Sequence, residues 1–289
     1  MPFKIINTDI TKVNTEVIVN AANRSLLGGG GVDGAIHNAA GYELLKECKN
    51  LGGCKTGEAK ITKGYNLPAE YIIHTVGPVW QGGFSDEEDY LKKCYENSLN
   101  IFKSLKLKSI AFPLISAGIY GYPKDKAINI AVSVIKKFLE SYDADIFLVI
   151  FDRNDFILNN PLFNDLDSYL IKNSVKIPVN NSGVCKIPGN YNINYSLYKK
   201  ANTDKKFFID IINNKEICDK NTAKAISIAL ELDVYNSENF LSECGFSLSD
   251  RSDIIFRYFT EKNFYDIFEI NKFLFKYGEP LLGTTALKI

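Results

Sequence analysis

The 289-residue chain carries 34 basic and 34 acidic side chains and no formal net charge, which removes any whole-molecule argument for binding nucleic acid or an anionic membrane. Its length fits one large and one small domain. Six cysteines without a Cys-x-x-Cys pair, two histidines and the lack of any membrane-length apolar run lead to the expectation of a cytoplasmic protein with reduced thiols, no metal and no cofactor.

The first strands are expected at Phe3 to Ile6, where the chain begins without a charged and apolar leader, and at Val17 to Asn20. Asn20-Ala21-Ala22-Asn23 then leads through Arg24-Ser25-Leu26-Leu27 into four glycines, Gly28 to Gly31, and Val32-Asp33-Gly34 opens a helix. Four successive glycines lose much backbone entropy on ordering and add no apolar surface, so packing does not explain them. A bare backbone running into a helix start suits a pyrophosphate or ribose. The run satisfies G-x-G-x-x-G through Gly29, Gly31 and Gly34, but a dinucleotide turn places its first glycine directly after the strand, and here eight residues intervene. No Gly-Lys-Ser/Thr follows, which excludes a P-loop. A flexible linker is disfavoured because Leu26, Leu27, Val32 and Ile36 want burial. Arginines are confined to Arg24, Arg153, Arg251 and Arg257, so anion recognition falls to backbone donors.

Further strands are expected at Ala59 to Thr62 and Tyr71 to Thr75. Ser85-Asp86-Glu87-Glu88 reads as a capping box before a helix with a stripe of Leu91, Cys94, Tyr95, Leu99 and Phe102. A strand at Ser109 to Pro113 precedes the loop Ser116-Ala117-Gly118-Ile119-Tyr120-Gly121. Pro123 fits the first turn of a helix that buries Ala127, Ile130, Ala131, Val134, Ile135 and Phe138. Asp145 to Phe151 is continuously apolar over its last six residues, as a strand buried on both faces should be. The first part is therefore a layered α/β domain with helices on both sides of its sheet.

Residues 174 to 194, rich in Pro, Gly, Asn and Ser, read as a linker. Helices are expected beyond it at Tyr195 to Asn202, Asp204 to Asn213, Asn221 to Leu232, Ser237 to Cys244, Ser252 to Lys262 and Tyr265 to Tyr277. From Tyr191 onward the 13 Lys/Arg and 14 Asp/Glu balance at minus one, and Asp204 to Asn213 carries two acids and five large apolar residues. Duplex DNA binding is therefore not expected of this part, and a protein-interaction module or contact with the chain's own first domain is.

The Asn-Ala-Ala-Asn stretch, the glycine run and Val32-Asp33-Gly34-Ala35-Ile36-His37 resemble the ADP-ribose-binding macrodomain in its MacroD-type hydrolase branch. So do Thr8 to Thr11, Gly53 to Thr62, Ile73 to Pro78 and Phe112 to Pro123. The resemblance covers residues 1 to 173. It implies a three-layer α/β/α domain with a mixed sheet, here followed by a small all-α part whose first helices resemble a phage-repressor helix-turn-helix, as small helical extensions do behind some bacterial macrodomains.

The resemblance also implies ADP-ribose and ADP-ribosylated proteins as partners. The implied reaction is removal of mono-ADP-ribose from protein carboxylates, deacetylation of O-acetyl-ADP-ribose, or both, with water as nucleophile. Asp33 and Asn23 match the catalytic positions; Gly30, Gly31, Val32 and Asn20 fall in the same ligand loop, and Ser116, Ala117, Gly118, Ile119 and Tyr120 in the second, with Tyr120 as a lid. Asp9 and Ile10 match the adenine end, where Phe151 would stack. Thr8 and Ala117 depart from the Gly and Thr often found at those positions. Plainer roles stay open: a helix-dipole partner or cap for Asp33, a turn residue for Asn23, a strand-end residue bonding neighbouring backbone for Asn20, a helix cap or turn for Asp9, a packed loop aromatic for Tyr120, and core for Phe151. His37 is expected to be a packed histidine rather than a base. A non-catalytic ADP-ribose reader and a regulator acting through the tail are the competing functions.

Overall fold

The β-branched and aromatic runs pair into one sheet, formed by β1 (Phe3–Asn7), β2 (Val17–Ala21), β3 (Ala59–Lys63), β4 (Tyr71–Thr75), β5 (Ser109–Pro113) and β6 (Asp145–Ile150) in the order β1-β6-β5-β2-β4-β3. The structure is a computed structural model that describes residues 2–156, 161–173, 187–188, 191, 193–194 and 196–283. Every pairing is parallel except that of β3 with β4, so the sheet is mixed. Parallel strands must be covered on both faces. Accordingly Val17, Ile18 and Val19 are all buried, as are Ile146 to Ile150.

One face packs on α1 (Gly31–Ala40) and α2 (Tyr42–Leu51), where Ile36, Ala40, Leu44 and Cys48 meet Ile18, Ile72, Ala111 and Phe147. Also in this domain, α3 (Glu87–Ser104) packs beside α4 (Lys124–Ser141) and against β3 and β4. Pro123 stands at the N-cap of α4, just outside the turn.

The expected capping box is not formed. Asp86 precedes α3 at φ 54° and makes no side-chain cap bond, while Glu88 turns outward to Lys92 at 2.7 Å. The buried carboxylate is Glu87, which accepts backbone N–H bonds from Gln81, Gly83 and Ser85 at 2.9, 3.1 and 2.6 Å. Three inward amides offer a carboxylate more than one serine cap offers the helix. Burial pushes the Glu87 carboxyl up, but its own backbone N–H and these three amides together outweigh it and hold its pKa at about 2.

Chain contacts divide the molecule near residue 158. The second unit contains α5 (Pro161–Asn173), α6 (Leu197–Lys200), α7 (Lys205–Ile212), α8 (Lys220–Ala229), α9 (Val234–Glu243), α10 (Arg251–Glu261) and α11 (Ile267–Tyr277). This differs from the expected end of the first domain at 173. Helix α5 packs on α10 instead: the Tyr169 and Tyr258 rings meet edge-on at 5.2 Å, the Tyr258 hydroxyl donates to the Leu162 carbonyl at 3.2 Å, and Lys262 pairs with Asp165 at 2.9 Å. The buried Leu166 and Leu170 form a helical stripe that reads the same whichever domain covers it. Of the expected linker, 174–194, only residues 187–188, 191 and 193–194 are described.

Asp204, Asp219, Asp233, Asp250 and Asp266 cap α7 to α11 in turn, each accepting a backbone N–H of the first turn. Such caps are worth about 1 kcal/mol each. Helix α8 lies at the centre, buried from Thr222 to Ala229. Its Lys224 has no exposed surface and is paired with the equally buried Asp253. Burial lowers the Lys224 pKa and Asp253 opposes that fall.

Candidate active site

The C-terminal ends of β1, β2, β5 and β6 open into a cleft of about 620 Å³, the place where open α/β sheets bind ligands. Its walls are the loop from β2 to α1, the loop after β5 and the segment after β6. All of the expected site residues line it except Asn20, which is fully buried behind the wall.

The first wall is built around Asn23. Its Oδ1 accepts from the Ser25 and Leu26 N–H groups at 2.9 and 3.2 Å and from the Ser25 hydroxyl at 2.6 Å. Its Nδ2 donates to the Gly28 carbonyl at 2.7 Å and to Asp33 Oδ2 at 3.3 Å. Leu26, wholly buried at φ 61°, pins the turn to the core. A Cβ on Gly34 would stand 2.4 Å from the Gly29 carbonyl oxygen, so only glycine lets the loop fold back over the helix start. Helix α1 then begins without a side-chain cap, and Gly30, Gly31 and Val32 of its first turn line the cleft.

Asp33 is 4 % exposed and held from both sides. Asn20 Nδ2 donates to Asp33 Oδ1 at 2.7 Å, and His37 Nε2 lies 3.6 Å from the same oxygen. His37 is off the cleft and would be touched by a Cβ on Gly28 at 3.3 Å, so it packs beneath the loop as expected. Behind Asn20 stands His74, whose Nδ1 is 3.1 Å from Asn20 Nδ2 and whose Nε2 is 2.8 Å from Thr62 Oγ1. Complete burial, with a smaller contribution from His37, pushes the His74 pKa down to about 3, so the ring is neutral.

The second wall turns at Ser116, at φ 63° with its hydroxyl buried and without a hydrogen-bond partner among the described residues. A Cβ on Gly77 would overlap Ser116 Oγ at 2.0 Å, so that turn requires glycine opposite it. The Ser116 carbonyl accepts the Tyr122 N–H at 3.0 Å, and the Tyr120 carbonyl accepts the Trp80 N–H at 2.8 Å. Ala117, Gly118, Ile119 and Tyr120 face the cleft between these ties. Ile119 is 85 % exposed, yet its Cδ1 would be 3.4 Å from a Cβ on Gly30, so the two loops meet across the opening.

At the far end, Asp9 Oδ1 accepts from the Thr11 N–H and hydroxyl at 3.0 and 2.8 Å, capping a single 3-10 turn that begins with buried Ile10. Phe151 follows β6 with its side chain 81 % exposed over the cleft, so it is not core, and Asn7 Nδ2 fixes its carbonyl at 2.9 Å. Sequence reasoning missed Gly77, Lys124 and Asp155. Lys124, the sole basic residue lining the cleft among the described residues, pairs with Asp155 at 2.6 Å across the rim. Proximity of Lys124 to the Ser116–Gly121 loop was the available signal.

His37, Cys48 and His74 place donor atoms within 4.8 Å of one another. Both His74 nitrogens already serve Asn20 and Thr62, and burial pushes the Cys48 thiol up to about 11. The set reads as a polar core beneath Asp33 rather than as metal ligands.

Residues 19–131 match the family described as Macro domain. An "O-acetyl-ADP-ribose deacetylase 1" of Pantoea vagans is 49 % identical over 166 residues, 55 % of this chain and 97 % of that protein. The human "ADP-ribose glycohydrolase MACROD2" is 54 % identical over 145 residues, 50 % of this chain and 34 % of that protein. Among solved structures, a single-residue mutant of the Oceanobacillus iheyensis macrodomain "with ADPR" aligns with a TM-score of 0.51 at 47 % identity, covering 58 % of this chain and 92 % of its own.

Proposed function

The chain belongs to the macrodomain family, and from that premise we propose that its first domain hydrolyses ADP-ribose esters: mono-ADP-ribose on protein carboxylates, O-acetyl-ADP-ribose, or both. The relatives named as a glycohydrolase and a deacetylase support the reaction class. The glycine wall and the loop from Ser116 to Tyr120 would take the pyrophosphate, with adenine between Phe151 and the Asp9–Ile10 turn.

The observation that carries the reading is Asp33, a buried carboxylate in the cleft wall with Oδ1 held by Asn20 and Oδ2 beside Asn23 and Gly29. An ADP-ribose reader has no use for a carboxylate fixed among glycines, where it repels phosphate. A hydrolase does: water attacks the ester, its proton passes to a base, and ADP-ribose separates from the carboxylic acid. In this reading Asp33 is that base and Asn23 holds the distal ribose. The test is turnover of a carboxylate-linked mono-ADP-ribosylated protein and of O-acetyl-ADP-ribose, side by side. Release from neither, with ADP-ribose still bound, makes the chain a reader.

A further inference from the structure

Thr62, His74, Asn20 and Asp33 form one hydrogen-bonded line running inward from the cleft, and of the four only Asp33 reaches the surface of the cleft. The sheet assembles it. Asn20 of β2 and His74 of β4 are register partners, and Thr62 of β3 pairs with Ile72, two residues from His74 and therefore on the same face.

We propose that His74 and Thr62 are positioning residues for the hydrolysis, acting on the Asp33 carboxylate through the orientation of the Asn20 amide. The inference rests on the reading of Asp33 as the base.

An amide can sit either way round with nearly the same shape, but its two ends differ in chemistry. A carboxylate only accepts. With its NH₂ between Asp33 and His74, Asn20 donates to Asp33 Oδ1; reversed, oxygen would face oxygen at 2.7 Å. The orientation present leaves Asn20 Oδ1 without a partner among the described residues, so its donor end dictates the choice. His74 enforces it, because a bare Nδ1 accepts from NH₂ and would repel the carbonyl end.

Thr62 in turn selects the tautomer. Its hydroxyl hydrogen goes to the Lys63 carbonyl at 3.3 Å, leaving Oγ1 to accept from His74 Nε2–H. Cys48 Sγ, at 3.9 Å from Nε2, is a weak substitute. Without the hydroxyl the proton would move to Nδ1, point at Asn20 and oppose its bond to Asp33. Held from behind at Oδ1, Asp33 keeps Oδ2, the oxygen beside Gly29 and Asn23, for water.

The test uses the full chain with Thr62→Val, Thr62→Ser, Asp33→Ala and Thr62→Val in the Asp33→Ala background. Thr62→Val is expected to lower kcat roughly 10- to 100-fold, as small misplacement of a reacting group does, with the Kd for ADP-ribose unchanged. Thr62→Ser should restore kcat, and Thr62→Val should slow the Asp33→Ala enzyme no further. Wild-type kcat in Thr62→Val, a matching loss of ADP-ribose affinity, failure of serine to rescue, or an additive loss without Asp33 each overturns the inference. A silent Thr62→Val beside an inactive Asp33→Ala overturns this inference alone; full turnover by Asp33→Ala overturns the base assignment with it. Nitrogen-15 NMR of His74 in the unaltered protein gives a second measure, expected to show a bare Nδ1 and a protonated Nε2 near neutral pH. A proton on Nδ1 overturns the inference whatever the variants do.

Discussion

Asn23 Nδ2 bridges the Gly28 carbonyl at 2.7 Å and Asp33 Oδ2 at 3.3 Å. One amide therefore closes the glycine loop and touches the carboxylate, which makes the two residues separable by mutation.

Asp33→Ala is expected to lose about 100- to 10,000-fold in turnover, the usual cost of a positioned base, while ADP-ribose affinity stays within a few fold. Asn23→Ala should lose turnover and affinity together, because the loop loses its tie. Calorimetry beside single-turnover kinetics checks the contrast. Equal affinity losses in both variants would show that Asp33 shapes the loop instead.

His74 makes stability depend on pH in a definite direction. Its folded pKa, about 3, lies below the ordinary 6.5, so in the window between them the unfolded chain binds a proton that the folded one does not. The stabilisation is complete above pH 6.5 and lost as pH falls toward 3, with a slope of at most about 1.4 kcal/mol per pH unit. Glu87, held at about 2, acts in the same sense but lower, as pH falls below the ordinary 4.5. Between pH 5 and 6.5, His74→Gln should therefore flatten the stability curve of the first domain measured by urea unfolding. An unchanged slope would show that His74 is charged in the fold.

Ending the chain at residue 156 is expected to leave a soluble, active hydrolase, since every residue lining the cleft lies at or before Asp155. Ending it at 173 should do worse. That fragment keeps α5 but removes α10, exposing Leu166 and Leu170. Light scattering and turnover of the two fragments decide the matter, and a well-behaved 1–173 beside an aggregating 1–156 reverses the boundary.

Lys224→Ala should cost the helical unit at most about 3–5 kcal/mol, because the buried Asp253 would lose the cation at one of its two oxygens. Lys220 stays 2.5 Å from the other Asp253 oxygen and limits the damage. Thermal unfolding of the isolated unit measures the loss; an unaffected midpoint would mean that Lys220 alone neutralises the carboxylate.

The strands were legible because residues such as Val17, Ile18 and Val19 are apolar on both faces, and none of the twelve ends of the six strands is off by more than one residue. The glycine wall was legible for the opposite reason, being costly backbone with no packing to justify it. Asn20 was misplaced because a polar residue at a strand end reads alike whether it faces ligand or stands behind one. Glu87 was hidden by the serine before it, whose spacing imitates a cap. Lys124 and Asp155 lie 31 residues apart in sequence and meet only in the fold. The aspartates that start α7 to α11 were visible, but a single aspartate is too common to mark a helix by itself.

Among the described residues Lys124 is the sole cation lining the cleft, and it already faces a carboxylate. In the proposed function the grip on phosphate is therefore made of main chain, which would have two consequences. Ionic strength has little hold over it, because backbone dipoles carry no counterions to release. Nor can it be erased by exchanging one side chain, short of adding bulk at a glycine. Exchange of an exposed rim side chain such as Ile119 would therefore leave that anchor itself intact.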